Sequence, residues 1–173
     1  KQINLDMAKK KNQSRKQELA KKSVVESMKF QTHFGLKTMG CVEGSMWHEQ
    51  AETEISFIEE LDLTQNIMDL KSFVERVKKD LGTAPTPKKG DFCTSITAIA
   101  LGIASVPVLD NMQMPISWQD QIAKKILTIY YAEDSRNAVV DWAKANGYNT
   151  STYLGRPIVK FKHIFVIIER TRK

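Results

Sequence analysis

The stretch FCTSITAIALGIASVPVL, residues 92–109, runs for eighteen residues without one charged side chain. It constrains the fold more than any other segment, because so long an uncharged run must be buried, in protein or in lipid. A membrane span is the poorer reading. Thr94, Ser95, Thr97 and Ser105 put hydroxyls into the run, Gly102 and Pro107 interrupt it, and Asp91 and Asp110 bound it closely. The pattern predicts a central core helix from about Thr94 to Ser105, with Gly102 and the alanines letting neighbouring elements approach. A chain of 173 residues, 42% hydrophobic and 27% charged, can build a core around such a helix.

Other helices follow from periodicity. Residues 52–63 form an acidic stretch with Ile55, Phe57, Ile58 and Leu61 at helical spacing. Thr64 is placed to cap a stronger helix with Ile67, Leu70, Val74, Val77 and Leu81 on one face. Lys78 and Lys79 sit in its last turn, and Gly82 stops it. The sequence GTAPTPKKG, 82–90, then reads as a surface loop or hinge. Ser117-Trp-Gln-Asp120 resembles a capping box opening a helix with Ile122, Ile126, Ile129 and Tyr130 as its stripe. Asp134 or Ser135 caps the next helix, whose apolar face is Ala138, Val139, Trp142 and Ala143. It ends near Asn146 with Gly147 as a left-handed residue.

One strand is expected. Residues 158–168, IVKFKHIFVII, are rich in β-branched and aromatic side chains, with Lys160 and Lys162 on one wet face. Its best partner in the sequence is the glycine-punctuated segment 30–42, or the same strand of another copy. The segment from Phe30 to Gln50 reads as a loop, yet Phe30, Phe34, Met39, Met46 and Trp47 load it with apolar surface that must pack somewhere.

Charge is sorted along the chain. The formal net charge is +6. Residues 1–30 hold nine Lys/Arg against Asp6, Glu18 and Glu26, whereas 38–70 hold no Lys or Arg and eight acids. The last fourteen residues hold Lys160, Lys162, Arg170, Arg172 and Lys173 against Glu169 alone. Two basic ends around an acidic belt point to a phosphate-bearing partner, or to the basic arm of one copy meeting the belt of another. The first half of KKKNQSRKQELAKKSVVESMK, 9–29, has almost no apolar face, and predicts a mobile arm that becomes helix at about residue 16.

Chemistry-bearing residues are sparse. Cys41 and Cys93 do not make a disulfide framework, and the first residues carry no secretory leader. These features suggest a reducing, cytoplasmic setting or the inside of a nucleoprotein particle. His33, Cys41 and His48 are separated by seven and six residues, without the short spacings of a closed zinc site. No metal or cofactor is expected. The nucleophile, phosphate-loop and zinc-protease motifs G-x-S-x-G, G-x-x-x-x-G-K-[ST] and H-E-x-x-H are absent. His163 reads as a strand residue and Cys93 as apolar packing. The acids of 49–62 could hold a divalent cation as nuclease carboxylates do, but a solvated acidic face accounts for them.

DWAKANGYNTSTYLGR, Asp141–Arg156, resembles the helix-turn-helix of DNA-binding regulators. The resemblance makes Ala143 the small residue at the helix crossing, Gly147 the turn and Asn149 the cap. It implies a recognition helix opening with Thr150, Ser151, Thr152 and Tyr153, with Arg156, Lys160 and Lys162 on phosphate. The β segment that follows also resembles the winged variant. The same residues also read as a helix end, a polar loop and a core strand, since Pro157 allows a second helix of only about one and a half turns.

The expectation is therefore a mainly α chain with a small β component, an α+β class. A basic flexible arm, 1–16, precedes one compact helical domain, 17–173, with a C-terminal strand. The leading function is nucleic-acid binding without catalysis, on DNA or RNA, by a homo-oligomer with no membrane partner. The contact residues are Lys9, Lys10, Lys11, Arg15, Lys16, Lys21 and Lys22 at one end, and Asn149, Thr150, Thr152, Tyr153, Arg156, Lys160 and Lys162 at the other. The alternative is a self-assembling nucleocapsid or coat subunit.

Overall fold

The computed structural model describes residues 2–41, 43–105 and 117–172. The chain is mainly α with one small sheet. It runs α1 (Gln2–Thr38), α2 (Met46–Glu60), α3 (Thr64–Leu81), a short 3₁₀ turn (Asp91–Thr94), α4 (Ile96–Ala100), α5 (Ser117–Ala123), β1 (Ile126–Ala132), α6 (Arg136–Ala145), β2 (Asn149–Tyr153), β3 (Arg156–Phe161) and β4 (Ile164–Thr171). Pro107, Asp110 and the Ser117 side chain lie outside the described residues.

The N-terminal helix departs most from expectation. It starts at Gln2, not near residue 16, and continues through residues expected to form a loop, as far as Thr38. Only its second half is anchored: Val25, Met28, Thr32 and Leu36 are buried at spacings of three and four, which is one helical face. Segment 30–41 is therefore no strand partner. Phe30 and Phe34 stay exposed on the far side of the same helix. Gly35 permits the crossing with α4, because a Cβ there would lie 2.0 Å from the Ala100 carbonyl oxygen.

α3 forms as its periodicity predicts except at Leu81, which is exposed; it buries Ile67, Leu70, Phe73, Val74 and Val77 and ends at Gly82, whose N–H donates to the Lys78 carbonyl at 2.9 Å. Its N-cap is Leu63. Thr64 is buried inside the first turn and makes no capping bond. α2 begins six residues before the acidic stretch and buries Ala51, Glu54, Ile55 and Ile58. The described part of the uncharged run, 92–105, is mostly buried but is not one helix. α4 stops at Ala100, Gly102 turns the chain, and Ile103 donates back to the Ala98 carbonyl at 2.9 Å. Leu101, Ile103 and Ala104 then fill the core from the turn.

Glu54 holds this layer together. Its Oε1 accepts from Ser95 Oγ at 2.6 Å and Thr97 N at 3.1 Å, and its Oε2 accepts from Gln50 Nε2 at 3.0 Å and Ile96 N at 3.2 Å. Burial pushes its carboxyl above the ordinary value, and these four donors oppose the shift. One buried acid thus satisfies the free amides at the start of α4.

The sheet has the order β1-β4-β3-β2, with β1 parallel to β4 and the other pairs antiparallel. Two sequence expectations fail here. The helix with the stripe Ile122–Tyr130 ends at Ala123, and Ile126–Ala132 is a strand. Leu127, Ile129 and Tyr131 alternate inward along it, and Lys125, at φ 61, breaks the helix first. The single strand over 158–168 is two strands folded back at Lys162-His163, where Lys162 takes φ 45. β4 is thus the partner of β3. Phe161 on the inner face meets Phe73 of α3 edge-on at 5.7 Å, and Trp142 and Tyr148 complete the aromatic cluster. The main core runs continuously from α1 to β4.

Candidate nucleic-acid interface

β2 and β3 join through Leu154-Gly155, with Tyr153 opposite Arg156. Both turn residues have positive φ, 50 and 77, the geometry of a type I′ hairpin. Glycine adopts it freely. Leucine does not, and a left-handed conformation costs such a residue on the order of 1 kcal/mol. Leu154 is nevertheless 85% exposed, so burial does not offset the strain. The recognition helix implied by the resemblance is therefore absent: Asn149–Tyr153 is an edge strand. Gly147 does end α6, as a left-handed residue with φ 81.

Side chains alternate across the sheet, so one row crosses all four strands on the face away from α3. Tyr130 pairs with Glu169, Arg156 reaches Glu169 (Nε to Oε2, 3.5 Å), and Tyr153 pairs with Arg156. Asn149 and Lys160 pair on this face two rows further on, with the Lys160 ammonium 5.2 Å from the centre of the Phe165 ring. Thr150 and Thr152 point to the opposite face of β2.

A loop closes one end of this row. Thr86 donates its N–H to the Tyr130 carbonyl at 2.7 Å, and its hydroxyl lies 2.8 Å from that of Thr171. Asp91 accepts from Thr128 N at 2.7 Å, and the Cys93 thiol, its pKa pushed up by burial and by Asp91, donates to the Lys89 carbonyl at 2.8 Å. The segment read as a hinge is thus bonded to both parallel strands. It carries Lys88 and Lys89 to a cleft of about 490 Å³, where they meet Arg156, Arg170 and Arg172, with Tyr130 in the wall. Among the described residues, Glu169 is the only carboxylate on the lining. Its partly exposed pair with Arg156 is worth at most about 1 kcal/mol. The cleft keeps a strong excess of positive charge.

The other predicted contacts divide. Lys21 and Lys22 of α1 join Lys162 on a second groove of about 580 Å³ at the opposite end of β3, where Glu59 and Asp62 also line the wall. Lys21 pairs with Asp62 at 3.4 Å. Lys9, Lys10, Lys11, Arg15 and Lys16 stand exposed on the first half of α1, where every described residue from Ile3 to Ser23 is exposed. At 3.6 residues per turn, Lys11, Arg15 and Lys22 share one face, Lys9 and Lys16 the opposite one, and Lys10 and Lys21 a third. They form a charged cylinder, not a stripe. Of the cleft cations only Arg156 was among the contacts expected from sequence; Lys88, Lys89, Arg170 and Arg172 were not, nor were Tyr130 and Glu169. The adjacent lysines in a Pro/Gly loop were the one available signal.

His33, Cys41 and His48 do come together around a small pocket. The two imidazoles lie 4.6 Å apart, and His33 Nε2 is 2.6 Å from Glu52 Oε1. Among the described residues, no three His, Cys, Asp or Glu side chains are arranged to hold a metal ion. Nor is any described helix long and apolar enough to cross a membrane. No protein-family model matches the chain, and no curated protein is significantly similar to it. The geometry of the cleft is what bears on function.

Proposed function

We propose that the chain is a nucleic-acid-binding protein without catalytic activity, and that the cleft at the end of the sheet is its principal contact. The observation that carries this reading is the meeting of Lys88 and Lys89 with Arg156, Arg170 and Arg172. Three separate segments converge to build one positive, partly aromatic cavity. Such a field attracts phosphate and concentrates a polyanion before contact. Lys160 and Lys162 extend the charge along β3 toward Lys21 and Lys22, over roughly 20 Å at 3.3 Å per residue. The exposed lysines of α1 add attraction independent of sequence. Cys41 and Cys93 form no disulfide, which suits a reducing compartment or the interior of a nucleoprotein particle.

Fluorescence anisotropy of labelled single-stranded RNA and duplex DNA, titrated across salt, tests this. Log affinity is expected to fall linearly with log salt, by about 0.7 to 0.9 per neutralised phosphate. A flat plot, or no binding to any nucleic acid at low salt, rejects the reading.

A second reading rests on α1. Residues 3–19 are all exposed, and Ile3, Leu5, Met7 and Leu19 are each more than half exposed. The solvent side of α2 presents Glu49, Glu52, Glu59 and Glu60 with no cation among them. An isolated helix of this length is marginal in water and gains from a partner. A self-assembling subunit, with α1 of one copy on α2 of another, fits these facts. Light scattering at low and high salt separates the two: large salt-sensitive particles favour assembly, and a discrete species argues against it.

A further inference from the structure

We infer that the cleft takes a single strand with an unpaired base laid on Tyr153, and does not bind duplex. This rests on the nucleic-acid reading above and names the form of nucleic acid. The cations define where phosphates go, and the row that runs through Arg156 adds aromatic rings to them. Tyr130 and Tyr153 bracket Arg156 and Glu169 across four strands. Tyr153 is 42% exposed, and Leu154 beside it is 85% exposed in a left-handed conformation. An exposed aromatic ring next to an exposed, strained leucine has no role in the core of this chain. Every base offers a flat π-face to such a ring, and a guanidinium beside it adds a second planar surface. Glu169, within reach of Arg156, can accept a hydrogen bond from an exocyclic amine on a base edge.

The geometry disfavours a duplex. A two-stranded ribbon reads a major groove by entering it, to a depth of about 8.5 Å. The β2–β3 hairpin does not stand free of the sheet. β4 runs beside β3, and Glu169 is level with Arg156, so only the two-residue tip is clear. Tyr153 also lies on the face of the sheet, where a duplex held by its backbone would present no base to it. A splayed single strand can place phosphates between Lys88 and Arg172 and turn a base onto Tyr153.

The test compares three labelled probes of equal length on the full chain: a single strand, the same strand with abasic sites at alternate positions, and a duplex. Tyr153→Ala is expected to weaken the intact single strand on the order of 5- to 150-fold, as loss of one stacked base does, while the abasic strand and the duplex change less than about twofold. Tyr153→Phe should restore binding, because the ring stacks and the hydroxyl does not. Leu154→Gly relieves the turn and provides a second variant that folds; it should lower affinity for the intact strand only. Equal losses on all three probes, no loss on the single strand, or tighter binding of duplex than single strand each overturn the inference while leaving nucleic-acid binding intact. Failure of the unaltered chain to bind any probe overturns both.

Discussion

Between Lys9 and Lys22 α1 carries seven Lys and Arg, and between Arg156 and Arg172 the sheet carries five. On a count of charge the first segment is the better polyanion site. In three dimensions the order reverses. The α1 cations radiate around a cylinder whose apolar neighbours are all exposed, and of the seven only Lys21 pairs with a described acid. Three of the sheet cations, Arg156, Arg170 and Arg172, join Lys88 and Lys89 on one cleft braced by hydrogen bonds from the loop to β1 and β4. Convergence on a fixed surface, more than charge, separates a site from a soluble helix.

The largest test of this contrast is stability. Phe161→Ala removes a ring 5% exposed and packed on Phe73, and should lower the free energy of unfolding by about 3 to 5 kcal/mol. Deleting residues 2–16 should leave the denaturant midpoint within error, since no described contact is lost. A midpoint that falls with the deletion would mean that the helix is held by something, and the assembly reading would gain.

Next in size is binding. Lys88→Ala with Arg156→Ala should weaken single-stranded RNA by about 30- to 100-fold at low salt and reduce the salt slope by about 1.4, two phosphates' worth. Lys10→Ala with Lys11→Ala should cost no more than about fivefold. Equal losses from the two pairs, read by anisotropy, would erase the distinction between cleft and cylinder.

A smaller effect concerns Glu54, the buried member of the acidic belt. Its carboxyl is held above the ordinary value of 4.5, mainly by burial. A raised carboxyl favours the protonated folded form. Its contribution to stability is therefore fullest below 4.5 and is lost as pH rises through the higher folded-state value. Chemical denaturation from pH 4 to 8 should show that decline, and Glu54→Gln should flatten it. An unchanged slope in the variant would assign the pH dependence elsewhere. The smallest effect belongs to Tyr131, whose buried hydroxyl has no hydrogen-bond partner among the described residues. Tyr131→Phe should change stability by less than about 0.5 kcal/mol or raise it slightly, whereas a loss above 1 would reveal a partner for that hydroxyl.

The helices were legible where one face was buried. α3 and α6 match the sequence reading because Leu70, Val74 and Val77, or Val139 and Ala143, repeat at the helical period and glycine follows. The strands were less so. Ile122, Ile126, Ile129 and Tyr130 fit a helical stripe by spacing alone, and nothing in the composition of 117–130 marks the break at Lys125. β2, NTSTY, is a polar edge strand with no hydrophobic alternation to find. The hairpin turns lack the Asn-Gly signature, using Leu154-Gly155 and Lys162-His163 instead. The resemblance over 141–156 identified a real helix end at Gly147 but supplied a second helix where the chain makes a strand. The cleft was the least legible of all, because Lys88 and Arg156 come together only through the pairing of β1 with β4.

That pairing also bears on how the molecule comes into being. β4 lies between β1 and β3 yet is the last of the four strands to be synthesised. Until it arrives, β1 and the β2–β3 hairpin each present a bare edge, and the distant, parallel closure that joins them is the slow kind. Arg170 and Arg172 arrive with that strand, so the emerging polypeptide has no assembled cleft. A ribosome-bound chain is surrounded by RNA, and this order of assembly delays the proposed binding surface until the sheet is complete.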